Sequence, residues 1–338
     1  MPLPELELIE RVRRAAGSAS RSALIRGIGD DCAVLRGSAA EDLLVTTDLS
    51  IEGVHFRRDW HPPESVGHRC LARGLSDIAA MGGVPEAAFL SLGVPAATPQ
   101  GWVDKFMAGF LRLARRHKVA LAGGDTASSP KAIVADVAVM GRVARGRAIL
   151  RSGTKAGDQI YVTGEPGRAA GVLARLKRGE KLDAARKEFA PHFFPQPRIA
   201  VGRALAEKKI ATAMIDLSDG ISSDLAHICE ESGVSAVVWE EALAAIRRRS
   251  PSYRSKSGSD KDGATHWALH GGEDYELLFT AADSAKVPAR IAGVEITRIG
   301  EIVARRSQAF PMLLIGRHGG AEELKREGWE HFRRGKKR

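Results

Sequence analysis

Cysteine is scarce in this chain of 338 residues, which contains only Cys32, Cys70 and Cys229. Their wide spacing and odd number suggest neither a disulfide framework nor a zinc site. Long apolar runs are also missing, since none approaches the roughly 18 residues that a membrane-spanning helix needs. The first ten residues alternate acidic side chains with Leu and Ile, which is not the chemistry of a signal or transit peptide. We therefore expect a cytoplasmic protein.

Aromatic residues are also few, at 5% of the sequence, although the chain is basic with a formal net charge of +10. Basic residues concentrate in 112–118, in 247–249 and in a tail at 333–338. Such surfaces attract polyanions, including ATP and nucleic acids. However, no aromatic residues alternate with the basic runs to form a stacking platform for single strands. We do not expect nucleic-acid binding, and a solvated charged surface is the simpler interpretation.

The length and the hydrophobic pattern predict two domains, because one domain usually spans about 100–200 residues. We predict an N-terminal domain at 1–148, a C-terminal domain at 149–332 and a basic tail at 333–338. A Gly- and Arg-rich stretch at 144–157 marks the boundary. The first domain should contain strands at 42–47, 119–122 and 133–140 and helices at 69–81 and 102–117. The second should contain a strand at 159–163, a helix that ends at about residue 178 and another helix at 222–231. It should also contain a surface loop at 250–264, followed by residues typical of strands at 267–280.

Aspartates follow several of the apolar runs, at the strand ends where α/β sheets bind ligands. These residues are Asp30 and Asp31, Asp48, Asp125, Asp216 and Asp219. Asp77 differs, because it lies within an apolar helix, where a lone carboxylate is costly unless it is paired. Singly, Asp219 is typical of a helix N-cap and Asp125 of a turn. Together they need cations, since two carboxylates about 4 Å apart repel by about 4 kcal/mol at an effective dielectric near 20. Oxygen-only ligands favour Mg²⁺, which usually shares its ligand sphere with phosphates.

Familiar nucleotide-binding sequence motifs are missing. The sequence has neither the G-x-x-x-x-G-K-[ST] loop nor the catalytic motifs of protein kinases. Gly164 and Gly167 after a strand form a weak phosphate-binding pattern, for which an ordinary turn is the simpler interpretation. No general base stands out either. A phosphate acceptor would not need one, because its second pKa of about 6 leaves it anionic at pH 7.

Eight short segments resemble the thiamine-monophosphate kinase family in order and spacing. They lie at residues 27–33, 46–48, 53–56, 75–82, 123–126, 216–220, 271–277 and 328–332. The resemblance implies an α+β, two-domain PurM-like fold of the aminoimidazole-ribonucleotide synthetase superfamily, with N-terminal strands pairing across a homodimer. It implies phosphorylation of thiamine monophosphate by ATP, which yields thiamine diphosphate.

The resemblance also implies roles for individual residues. Several Mg²⁺ ions along the ATP phosphates would be held by Asp31, Thr46, Thr47, Asp48, Asp77, Asp125, Asp216 and Asp219. The nucleotide would be contacted by Gly124, Asp125, Arg151 and Ser218. The thiamine-phosphate pocket would be lined by His55, Glu273 and Trp329, which the residue pattern alone does not single out.

The chain departs from the family pattern at three places. His270 stands where a small residue usually precedes the Gly-Gly-Glu sequence, the loop at 250–264 is longer and more polar, and the tail is more basic. Two other functions stay open. A related synthetase could use ATP to activate an amide or a selenide, although Cys32 lacks the neighbouring Lys that a selenide enzyme should have. The other alternative is a non-catalytic regulator or an RNA-associated protein that uses the basic tail.

Overall fold

The structure is a computed structural model that describes residues 3–16, 23–249, 261–305 and 312–332. The predicted basic tail and residues 250–260 of the predicted loop lie outside the described residues. No helix in the described part of the chain has the length and apolar character needed to cross a membrane.

The first half of the chain forms a sheet of six strands, covered on one side by two long helices. Its elements are α1 (Glu5–Ala16), β1 (Leu24–Arg26), β2 (Ala33–Arg36), β3 (Glu41–Ile51), α2 (Pro63–Ala80), β4 (Val84–Val94), α3 (Gln100–His117), β5 (Ala120–Ser128) and β6 (Val134–Ala144). The strand order is β1-β2-β3-β6-β4-β5. β5 pairs with β4 in parallel, and β3 pairs with β6 antiparallel over its whole length.

The second half forms a larger sheet with helices of its own. Its elements are β7 (Gln159–Thr163), α4 (Arg168–Lys177), α5 (Ala190–Phe193), α6 (Ile199–Glu207), β8 (Ala213–Asp216), α7 (Ile221–Ser232), β9 (Ser235–Trp239), α8 (Glu240–Arg249), α9 (Lys261–His270), β10 (Leu277–Ala281), β11 (Arg290–Ile291), β12 (Val294–Val303), β13 (Met312–Ile315) and β14 (Ala321–Glu323). The order is β14-β13-β9-β12-β7-β10-β8, with β11 paired to β12. The predicted domain boundary at residue 148 lies between the two sheets and stays a prediction.

The two faces of the first sheet differ. On β3, Leu44 and Thr46 are buried beneath α2, whereas their neighbours point to the other side because side chains alternate along a strand. That other side carries residues that are half-buried or exposed and mostly apolar. We call it the open face, defined by Val45, Thr47, Leu49, Phe89, Ala138 and Met140.

Glycines allow α2 and α3 to pack closely over the buried face. A Cβ atom at Gly67 would lie 1.9 Å from the carbonyl oxygen of Phe106, and one at Gly109 would lie 1.9 Å from that of Glu64. Each glycine thus admits the backbone of the opposite helix. This contact fixes the position of α2, which carries Asp77 toward the second sheet.

The elements match the predictions in most places, including β7, α4 and α7. Two strands are longer than predicted, so Asp48 and Asp125 lie within β3 and β5 rather than after their ends. The prediction of a loop to residue 264 and strand chemistry from 267 is also wrong, because α9 covers 261–270. Ala264, Ala268 and Leu269 are buried at helical spacing, so tertiary packing stabilises a helix there.

Candidate active site

Three carboxylates from separate elements meet between the two sheets. Asp31 lies between β1 and β2, Asp77 lies on α2, and Asp216 is the last residue of β8. One carboxylate oxygen of each lies within 4.8 Å of those of the other two. We call this group the carboxylate cluster. The structure thus brings three of the predicted ligands together, and their role as ligands stays a prediction.

The carboxylate cluster is short of positive charge. Burial, and then the charge of Asp31, raises the pKa of Asp216 to about 8. Burial and the charges of Asp48, Asp216 and Asp31 raise the pKa of Asp77 well above its usual value. Oδ2 of Asp31 is buried and has no hydrogen-bond partner among the described residues. An oxygen-only donor set with this much repulsion fits a hard divalent cation such as Mg²⁺.

Hydroxyl groups and one arginine fix the carboxylates in place. The Thr46 hydroxyl donates to Oδ2 of Asp77 at 2.5 Å, and the Ser76 hydroxyl donates to Oδ2 of Asp216 at 2.6 Å. Nη2 of Arg151 donates to Oδ1 of Asp31 at 2.6 Å. The predicted nucleotide contact Arg151 is therefore next to the carboxylate cluster and forms an ion pair with one of its members.

Asp48 and Asp219 flank the carboxylate cluster. Nε of Arg73 lies 3.1 Å from Oδ1 of Asp48, and the Asp48 charge contributes to the raised pKa of Asp77. Burial, and then Glu5, raises the pKa of Asp219 to about 7. Asp219 is not the N-cap of α7, since Gly220 holds that position without a side-chain cap. Instead the buried Asp224, which the sequence did not single out, accepts the N–H groups of Asp219 and Gly220.

Two predicted metal ligands lie elsewhere in this chain. Thr47 lies on the open face, because it alternates with Thr46, whose hydroxyl bonds Asp77. Asp125 lies on the exposed edge strand β5, where its Oδ1 accepts the N–H of Thr126 at 2.8 Å. Gly124 has a packing reason of its own: a Cβ atom there would lie 1.9 Å from the carbonyl oxygen of Leu90.

Two of the three predicted pocket residues, His55 and Trp329, lie beside His331, and the third, Glu273, is close enough to influence the charge of His55. The ring of His331 lies 5.3 Å from that of His55 and 5.8 Å from that of Trp329, which is 55% exposed. Burial, and then Arg73, lowers the pKa of His55 to about 4. Glu273, with a backbone φ of 68°, pairs with Arg69.

The charge of Glu273 is fixed by its cationic neighbours. Burial alone would raise its pKa, but the guanidinium groups of Arg69 and Arg73 lower it to about 2. Sequence reasoning missed Arg69 and Arg73. Their spacing was a usable signal, because positions 69, 73 and 77 are four residues apart and share one face of a helix. His331 belonged to a segment of the family resemblance but was assigned no role.

Known proteins resemble this chain over nearly its whole length. The family models for AIR synthase related protein match residues 29–143 with the N-terminal domain and 155–311 with the C-terminal domain. The thiamine-monophosphate kinase of Salmonella typhimurium is 38% identical over 98% of this chain and 99% of its own. That of Escherichia coli is 36% identical over the same shares. The chain belongs to the thiamine-monophosphate kinase family.

Solved structures show the same fold. One described as "AaThiL complexed with AMPPCP and TMP" superposes with a TM-score of 0.81 and 29% identity, and covers 98% of this chain and 99% of that chain. The thiamine-monophosphate kinase of Stenotrophomonas maltophilia has a TM-score of 0.70 and 36% identity, and covers 89% and 95% of the two chains. The predicted α+β, PurM-like fold is therefore confirmed.

Cys32, the candidate cysteine for a selenide enzyme, does not have the surroundings of a reactive thiol. Cys32 is buried, and burial together with the charges of Asp77 and Asp31 raises the pKa of its thiol well above its usual value. A buried thiol beside carboxylates stays protonated and is a poor nucleophile.

A carboxylate of the chain itself binds at the weak phosphate-binding pattern of Gly164 and Gly167. Asp274 accepts the N–H groups of Gly167 and Ala169 at the start of α4. Burial raises the pKa of Asp274 to about 7. Since a carboxylate of the chain already takes these donors, the interpretation of the segment as an ordinary turn is confirmed.

Proposed function

We propose that this chain transfers the γ-phosphoryl group of ATP to thiamine monophosphate, giving thiamine diphosphate and ADP. One observation carries the proposal: Asp31, Asp77 and Asp216 meet within 4.8 Å with too little positive charge around them. The substrates are supported by the relatives, which are named thiamine-monophosphate kinases, and by the structure with AMPPCP and TMP.

We further infer that the carboxylate cluster holds Mg²⁺, with Asp48, Asp219 and the Thr46 hydroxyl at its margin. When bound, Mg²⁺ supplies charge neutralisation to the phosphate groups of ATP. The unpartnered Oδ2 of Asp31 supports its assignment as a ligand. Thr47 and Asp125 lie away from the carboxylate cluster in this chain, and their roles as ligands stay predictions. Gly124, Asp125, Arg151 and Ser218 likewise stay predicted nucleotide contacts.

The acceptor needs no general base under this proposal. The phosphate of thiamine monophosphate is anionic at pH 7, because its second pKa is about 6. The protein has only to hold donor and acceptor in line and to exclude water. Arg151, which extends its guanidinium to Asp31, also lies where it can attract an anionic nucleotide.

The proposed thiamine pocket suits a cation. Thiamine carries a positively charged thiazolium ring, and Glu273 stays ionised because Arg69 and Arg73 keep its pKa near 2. His55 is uncharged at pH 7, since its pKa is about 4, and so adds no positive charge beside the thiazolium. The exposed ring of Trp329 offers a face for stacking.

The predicted homodimer and cytoplasmic location are part of the same proposal. The open face presents apolar side chains, with Leu49 49% and Phe89 37% exposed, which a second copy of the chain would cover. The cysteines at 32, 70 and 229 are free and buried, which suits a reducing compartment.

A substrate panel tests the reaction. The purified full chain is supplied with Mg²⁺, ATP and one of thiamine monophosphate, thiamine or an aminoimidazole-ribonucleotide precursor, and the products are identified by chromatography. We expect thiamine diphosphate from the monophosphate and slow or no reaction with the other two. An Asp77→Asn preparation purified in parallel should be inactive, which rules out a contaminating kinase. Equal turnover of thiamine and its monophosphate, or activity only on the aminoimidazole precursor, would overturn the proposal.

A further inference from the structure

Two imidazoles and a carboxylate meet beside the start of α7 in the second half of the chain. His266 and His270 lie one turn apart on α9, and their ring centroids are 4.8 Å apart. Glu327 reaches the same place from the segment after β14. One ring nitrogen of each histidine and one oxygen of Glu327 all lie within 4.8 Å of one another. We call these three residues the histidine cluster.

One buried hydroxyl group, that of Ser222, contacts two members of the histidine cluster. Oγ of Ser222, on α7, lies 2.8 Å from Nδ1 of His270 and accepts the backbone N–H of Glu327 at 3.4 Å. When Nδ1–H of His270 donates to this oxygen, the lone pair on Nε2 is free. Metal-binding histidines usually have such a second partner, which fixes the ring and its tautomer.

The histidine cluster is accessible to a solvated ion. Its residues line a cavity of about 710 Å³ together with Glu240, Leu269 and His318. His266 and Glu327 are exposed, so small side-chain rotations can bring their donor atoms closer together. Within residues 3–16, 23–249, 261–305 and 312–332, no cationic side chain forms an ion pair with Glu327.

We propose that His266, His270 and Glu327 form a binding site for a transition-metal cation of the Zn²⁺ type. Two nitrogens and one carboxylate oxygen are the donors of many three-residue zinc sites, with water at the fourth position. Mg²⁺ prefers oxygen ligands and would not compete well here. The bound ion would tie α9 to the segment that carries Trp329, two residues beyond Glu327.

Metal titration of the full chain, without a histidine tag, tests the site. Mg²⁺ is kept in large excess to occupy the oxygen-only carboxylate cluster. Zn²⁺ binding is measured by calorimetry, and Co²⁺ absorption reports the ligand geometry. We expect one Zn²⁺ per chain and a Co²⁺ spectrum typical of mixed nitrogen and oxygen ligands. Ser222→Ala should weaken binding by about 10- to 100-fold, as the loss of a second partner of a ligand does.

Matched variants decide the outcome. His266→Ala removes an exposed ligand and should abolish the Zn²⁺ event, whereas His318→Ala, in the same cavity but outside the histidine cluster, should leave it unchanged. Circular dichroism verifies that each variant is folded. Equal Zn²⁺ affinity in His266→Ala and the unmodified chain would overturn the proposal. So would Zn²⁺ binding that disappears in Asp216→Asn instead, or its absence when Mg²⁺ is in excess.

Discussion

At the residue scale, Asp216 links pH, cations and stability. Its pKa is about 8 in the folded chain against an ordinary value of 3.8, because it is buried beside Asp31. Between these values the folded protein holds a proton that the unfolded chain has released. Without divalent cations, the free energy of unfolding should therefore fall as the pH rises from about 4 to about 8. Urea unfolding across this range measures the slope.

The variant Asp216→Asn isolates this effect. It cannot ionise, so its unfolding free energy should depend less on pH, and at pH 8 it should exceed that of the unmodified chain without cations. Added Mg²⁺ should stabilise the unmodified chain more than the variant. Asp283→Asn, at an exposed position, serves as the control. Parallel pH curves for the unmodified chain and Asp216→Asn would contradict the assignment.

Trp329 gives a residue-scale test of the thiamine pocket. Its ring is 55% exposed and contacts His331 edge to face, so one face is available to a cationic ring. A cation–π contact of about 0.5–2 kcal/mol corresponds to about a 2- to 30-fold effect on affinity. Trp329→Ala should raise the KM for thiamine monophosphate by this factor and leave the KM for ATP unchanged. Trp329→Phe should restore most of the loss, whereas equal changes in both KM values would mean a structural role.

The sequence could predict some site residues and not others. Asp31, Asp77 and Asp216 were predictable, because strand ends and a polar residue inside an apolar helix can be recognised from the sequence alone. Thr47 was assigned beside Thr46 although neighbouring strand residues point to opposite faces. The roles of Asp224 and Ser222 depend on contacts between elements, for which one sequence offers no signal.

At the element scale, the crossing of α2 and α3 depends on glycine. A methyl group at Gly109 would lie 1.9 Å from the carbonyl oxygen of Glu64, so Gly109→Ala should push the helices apart and destabilise the chain by roughly 1–3 kcal/mol. It should also lower activity, since α2 carries Asp77. Gly101→Ala on the same helix has open space around its Cβ and should stabilise by about 0.5–1 kcal/mol. Thermal and urea unfolding compare the two, and equal effects would contradict the packing argument.

Helices and strands with a clear hydrophobic periodicity were predicted well, whereas those stabilised by packing against other elements were not. β7 and α4 have clear patterns between glycines. In contrast, α9 has weak local signals, and its burial of Ala264, Ala268 and Leu269 comes from packing. β3 and β5 run past their aspartates because their partner strands continue the hydrogen-bond ladder.

At the scale of the whole molecule, the open face predicts a homodimer. A charge placed at Phe89, in the middle of this face, should be costly to bury between two copies. Phe89→Asp should therefore shift light-scattering mass from twice 36.2 kDa toward the single chain. Phe332→Asp makes the same chemical change at a 52% exposed site outside the open face and should leave the dimer intact. A stable monomer of the unmodified chain would contradict the prediction.

The contacts between the halves have a consequence for how the enzyme is made. Ser76 bonds Asp216, Arg151 pairs with Asp31, and Arg69 pairs with Glu273, so each of these contacts joins an early residue to a later one. During translation, the ribosome releases Asp31 and Asp77 long before Arg151 and Asp216 exist. The growing chain therefore carries a carboxylate cluster that is still incomplete. Only after residue 216 has emerged are all three of its carboxylates present, so shorter nascent or truncated chains should not sequester cellular ATP.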